Sequence, residues 1–189
     1  MRVRILATAG VTGLLLGAAF GPTPAAAQQQ AVVVADSSFM QMAGSLGLLQ
    51  AKLAKMAEQK ASSASVKEFG KQMTADYAKV NEDLAAAAKQ AAFPRPVLLR
   101  DHQKVVDRFR RLGKDSFDKN YMAEVVKYQD EAARLYQQEA ENGRIVSLKQ
   151  MASQMLPSIQ QHLALANETA RSVGADVTAS AKQASQGTH

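Results

Sequence analysis

The chain has 189 residues, 47% of them hydrophobic, no cysteine and no tryptophan, and 23 basic against 17 acidic side chains for a net charge of +6. Without cysteine there is no disulfide framework, no thiol nucleophile and no site for lipid acylation, so stability must come from one packed core of ordinary domain size. The moderate basic surplus favours loose attraction to anionic surfaces and does not bear on fold.

At the N-terminus Arg2 and Arg4 precede an apolar run from Ile5 to Phe20, which is followed by Gly21, Pro22, Pro24 and the small residues Ala25, Ala26 and Ala27. A basic start, a short apolar stretch and a small-residue cleavage site are the order of an export signal. The run is shorter than the roughly 20 residues of a membrane-spanning helix and ends in prolines. Residues 1–27 therefore read as a signal peptide, with a mature chain that starts near Gln28 and resides in the periplasm or against the outer membrane. Residues 28–35 read as an unstructured segment, and export argues against nucleic acid as a partner.

From Asp36 to Ser172 apolar residues recur at three and four, which predicts an all-α domain over 36–172. A first helix starts after Asp36 as its N-cap and buries Phe39, Met42, Leu46, Leu49, Leu53 and Met56. A second begins at a capping box of Ser65 and Glu68, carries Val66, Phe69, Met73, Val80 and Leu84 inward, and gives out near Phe93, Pro94 and Pro96. A shorter helix follows within Val97 to Leu112, with Leu98, Val105, Phe109 and Leu112 inward and Gly113 as its C-cap.

The next long helix starts at Asp115 or Ser116, places Phe117, Tyr121, Val125, Tyr128, Ala132 and Leu135 on one face, and stops at Asn142 and Gly143. The last carries Leu148, Met151, Met155, Ile159, His162 and Ala166, with Pro157 inside it as a predicted kink. Residues 173–189 are small and polar and read as a disordered tail. Two hairpins of long helices, joined by a link that contains the short helix, predict a four-helix bundle with one long crossover, the ferritin-like connectivity.

The motifs Asp36-x-x-Phe39-x-x-x-Ala43, Lys60-Ala61-Ser62 through Val66-Lys67-x-Phe69, Met73-x-x-Asp76, Phe117-Asp118-x-x-Tyr121 and Leu156-Pro157 through His162-Leu163 stand in an order and spacing that resembles the exported proteins of the domain of unknown function 4142 family. The resemblance covers about residues 36–170 and implies a ferritin-like fold associated with the outer envelope. It also implies metal-ligand-type residues inside the bundle: a glutamate in the first helix, an Asp-His pair in the second, another in the third long helix, and a histidine in the last. The matching positions here read Lys52, Asp76-Tyr77, Tyr128-Gln129 and His162.

Of that implied set only Asp76 and His162 are retained, fewer than the three or four ligands a divalent metal needs. The expectation is a degenerate site in which Asp76, Tyr77, Tyr128, Gln129 and His162 form a buried hydrogen-bonded cluster, with no catalytic residue, metal or cofactor. The alternative is a metal-binding or oxidant-handling protein in which Asp76 and His162 recruit a glutamate such as Glu124 or Glu131. No nucleophile elbow or phosphate loop is present, and His102, among Asp101, Gln103 and Lys104, reads as solvated. The methionines fall at core spacing, as gap fillers. Arg95, Arg100, Lys104, Arg108 and Arg111 define a basic face for weak contact with an anionic surface or an unknown envelope component.

Overall fold

A computed structural model describes residues 24–177, with side chains from residue 35 onward. Five helices follow one another, and the described residues contain no strand: α1 (Pro24–Lys60), α2 (Ala64–Gln90), α3 (Arg100–Arg111), α4 (Lys114–Asn142) and α5 (Val146–Ser172). The four long helices form a closed set of neighbours, α1 on α2, α2 on α5, α5 on α4 and α4 on α1, with α3 laid against α1. The predicted signal peptide falls mostly outside the described residues, as do residues 178–189 of the predicted tail.

Three-residue turns at 61–63 and 143–145 fold α1 back on α2 and α4 back on α5. Glycine permits the first of these pairs to close. A Cβ at Gly70 of α2 would lie 2.9 Å from the Ala54 carbonyl and 3.1 Å from the Glu58 amide of α1, so the two backbones meet at a distance only glycine allows. α2 ends at the bundle end where Ser37 and Met40 lie, whereas α4 begins at the other, where its Asp118 reaches the 61–63 turn. The chain must therefore run the length of the bundle between them, and residues 91–113 do so as an extended proline-containing link followed by α3.

Asp36, Lys60 and Asp118, each in one of the motifs singled out in the sequence, hold the ends of this frame. Asp36 is buried, and its carboxylate accepts hydrogen bonds from the backbone N–H of Ile145 at 2.7 Å and of Arg144 at 3.3 Å, so it tethers the α4–α5 turn. It lies inside α1, twelve residues beyond Pro24. The predicted role of N-cap to its own helix is thus replaced by a tertiary one, and α1 extends through residues 28–35 as well. At the opposite end the Lys60 ammonium donates to the carbonyls of Phe109, Arg110 and Leu112 at 2.7–3.0 Å, which covers the C-terminus of α3 with positive charge. The Asp118 carboxylate accepts from the amides of Ser62 and Ser63, supplying the N-terminus of α2 with the acceptor that the predicted Ser65–Glu68 box does not provide.

The core contains every predicted inward residue of α2, and Tyr77 as well. In α1, Phe39, Leu46, Leu49 and Leu53 are buried, with Met42 and Met56 half-buried. α3 turns a different face from the predicted one: His102, Val106 and Phe109 are buried, while Leu98, Val105 and Leu112 are only partly so. Phe109 packs edge-on to Phe117 and Tyr121, which stack on each other at 5.4 Å, and Phe69 closes the group from α2. Such pairs contribute roughly 0.5–1.5 kcal/mol each beyond burial and fix α3 to the bundle.

Several helix ends differ from prediction. Gly113 and Gly143 have ordinary negative φ and serve as N-cap of α4 and C-cap of α4. Left-handed C-terminal turns occur instead at Ala92, φ 56°, and Gly174, φ 62°. At each the paired reverse hydrogen bonds of a Schellman motif close the helix, Phe93 to Ala88 with Ala92 to Lys89, and Ala175 to Ala170 with Gly174 to Arg171. After Gly174, Ala175 and Val177 pack against the core, so the first residues of the predicted tail belong to the bundle. α5 passes Pro157 without ending, the ring standing on its exposed side.

Candidate functional site

Two polar pairs lie between α2, α4 and α5. The Tyr77 hydroxyl of α2 donates to Gln129 Oε1 of α4 at 2.9 Å across the interior, and the Gln129 amide nitrogen lies 3.8 Å from the Met73 sulfur. Both side chains are buried, and burial pushes the Tyr77 hydroxyl far above its ordinary pKa, so it remains a neutral donor. Gln129 is thus satisfied on both faces of its amide by residues of α2.

The second pair joins α2 to α5. His162 Nε2 is 3.0 Å from Asp76 Oδ2. A carboxylate only accepts, so the proton sits on Nε2 and Nδ1 is the bare nitrogen; Nδ1 is buried and has no hydrogen-bond partner. Desolvation lowers the His162 pKa, opposed by the charge and hydrogen bond of Asp76, and the ring is neutral at pH 7. The His162 ring also packs on Tyr77 at 5.6 Å, linking the pairs through ring contact. Outward of Asp76 and His162 lies a cleft of about 540 Å³ between α2 and α5, lined also by Gln72, Lys79, Asp83 and Met155.

Four of the five residues of the predicted cluster, Asp76, Tyr77, Gln129 and His162, come together in this way. Tyr128 does not. One residue along α4 from Gln129 it points about 100° away, and its ring meets His102 of α3 edge-on at 5.5 Å. The solvated reading of His102 is likewise overturned: it is 7% exposed, and its Nδ1 lies 2.6 Å from Ser45 Oγ. Ser45 Oγ accepts from the Leu99 amide at 2.8 Å and shares a hydrogen bond with His102, so one serine of α1 fixes both the start of α3 and its histidine. Sequence reasoning missed this second polar group because Ser45 resembles any small helix-packing residue. The i, i+4, i+7 spacing of His102, Val106 and Phe109 was the available signal.

The residues do not fit the paired-metal site implied by the family resemblance. Lys52 is exposed, so the position of the first-helix glutamate does not face the interior at all. Glu124 pairs with Arg108 of α3, and Glu131 acts electrostatically on His102, so neither joins His162. Among the described residues no three His, Asp or Glu side chains converge as a ligand set.

The basic face is partly self-compensated. Lys104 pairs with Asp101, Arg108 with Glu124 and Arg110 with Asp107, while Arg95, Arg100 and Arg111 make no ion pair among the described residues. Among those residues no helix is long and apolar enough to cross a membrane.

These features define an all-helical bundle with a polar seam through its interior, its loops tied by single charged side chains. Residues 21–169 match the family model described as Domain of unknown function (DUF4142), and the chain belongs to that family. No curated protein and no solved structure matches it.

Proposed function

We propose that this protein is a non-enzymatic binding or structural module of the bacterial envelope, built on a ferritin-like scaffold whose interior metal site is degenerate. The observation that carries the reading is the bond between Tyr77 and Gln129. At two of the positions where the resemblance implies imidazole or nearby ligands, the side chains spend their hydrogen-bonding capacity on each other and fill the space. The Asp76–His162 pair is then a polar staple between α2 and α5, and the fold without its ligand set does not confer oxidase or ferroxidase chemistry. The leader-like order of residues 1–27 supports export, and the lack of ion-pair partners for Arg95, Arg100 and Arg111 among the described residues supports weak, salt-sensitive contact with an anionic envelope component.

The test is the transition-metal content of protein purified from the periplasm without chelators, beside a His162→Ala variant. Metal-free protein in both cases is expected. Near-stoichiometric metal that disappears in the variant would overturn the reading in favour of a metal-binding or oxidant-handling protein.

A further inference from the structure

At the end of the bundle opposite Lys60, a cavity of about 520 Å³ opens between the stretch of α1 around Asp36 and the end of α4. Its polar lining consists of Asp36, Ser38, Gln138, Glu139 and Asn142. Asp36 and Glu139 are both buried, 1% and 6% exposed. Asp36 is held by the N–H groups of the α4–α5 turn, whereas Glu139 Oε1 is buried without a single hydrogen-bond partner. Gly143 makes room for that carboxylate, because a Cβ there would stand 2.5 Å from Glu139 Oε1.

A buried carboxylate requires a counter-charge, a donor or a proton. The nearest cation from the packed helices, Lys149 of α5, donates to the Glu141 carbonyl at 2.8 Å and forms no ion pair with Glu139. Among the described residues no donor takes its place at Oε1. Two carboxylates with side-chain carbonyl and hydroxyl oxygens lining one cavity supply the ligand chemistry of a hard divalent cation, which completes its shell with water. No histidine or cysteine is among the lining residues, and the one sulfur is the Met42 thioether, so the oxygen-rich set favours a hard cation over zinc.

We propose that Asp36 and Glu139 bind a divalent cation of the calcium class, and that the ion braces α1 at Asp36 against the α4–α5 turn. The site is separate from the Asp76–His162 pair and does not depend on the envelope role proposed above. It belongs with the weak sites of extracellular modules, with dissociation constants of roughly 0.1–1 mM, because only two of its ligands are charged.

The experiment is thermal unfolding and calorimetric titration of the full chain at pH 8, with calcium or magnesium chloride and with sodium chloride at matched ionic strength. At 10 mM calcium a rise in Tm of roughly 3–11 °C is expected from mass action across that range of dissociation constants, with one ion bound per chain. Glu139→Gln should abolish both effects, and Glu141→Gln, an exposed neighbour, should retain them. Circular dichroism verifies that each variant is folded before titration. No shift in the wild-type chain, or an equal shift in Glu139→Gln, would overturn the proposal; the carboxylate would then be neutralised by a proton alone.

Discussion

Replacing Glu139 with glutamine should stabilise the protein at alkaline pH and leave it nearly unchanged in acid. Burial in the first place, and the negative charge of Asp36 in the second, push the Glu139 carboxyl from its ordinary 4.5 up to about 7, with Lys149 opposing only weakly. The folded chain therefore holds this proton more tightly than the unfolded chain between those two values. Its stabilising contribution is complete below pH 4.5 and is lost as pH rises through 7. A displacement of that size corresponds to about 3 kcal/mol at most, at 1.36 kcal/mol per pH unit. His102 and His162 act in the opposite direction, since burial lowers both pKa values and their contribution is lost as pH falls below 6.5. They are common to both proteins and cancel in the difference. Urea unfolding of wild type and Glu139→Gln from pH 4 to pH 9, in chelator to exclude any bound cation, isolates the glutamate. The variant's advantage should grow to roughly 2–3 kcal/mol by pH 8. An advantage independent of pH would refute the assignment of Glu139 as a buried group that must ionise on folding at high pH.

Lys60→Met keeps the packing of the side-chain stem but leaves the three carbonyls at the end of α3 without their cation. A loss of about 1.5–3 kcal/mol is expected by denaturant unfolding, with hydrogen exchange of α3 accelerated before that of α4. Ala92→Gly relieves a left-handed backbone that costs an L-residue roughly 1–2 kcal/mol, offset in part by the greater freedom of glycine in the unfolded chain. A net gain of about 0.5–1 kcal/mol in urea unfolding is the expected result.

The composition of the helices was legible because a 3.6-residue period leaves its mark on every turn. The inward residues of α2 and the aromatic face of α4 through Tyr121 and Val125 follow from spacing, whereas the meeting of Asp76 with His162 was an expectation that the family resemblance implied. The two inner pairs were partly legible because the resemblance marks the positions of Asp76, Tyr77, Gln129 and His162 as polar interior sites, which periodicity alone did not single out.

Other features depend on rotation and on long-range contact, which periodicity does not encode. Tyr128 and Gln129 are neighbours in the chain, yet one helical step separates the surface beneath α3 from the interior of the bundle. His102 is surrounded in sequence by charged residues and in space by Ser45 and Tyr128. Asp36 has the form of a helix cap in sequence, but its carboxylate meets amides 108 and 109 residues away. Lys52 and Lys60 are alike as letters; tertiary structure sends one to solvent and the other to the end of α3. The sequence by itself determined the helical class, the apolar stripes and the family. Only tertiary structure decided which polar groups lost their water, because the partners that replace water come from other helices.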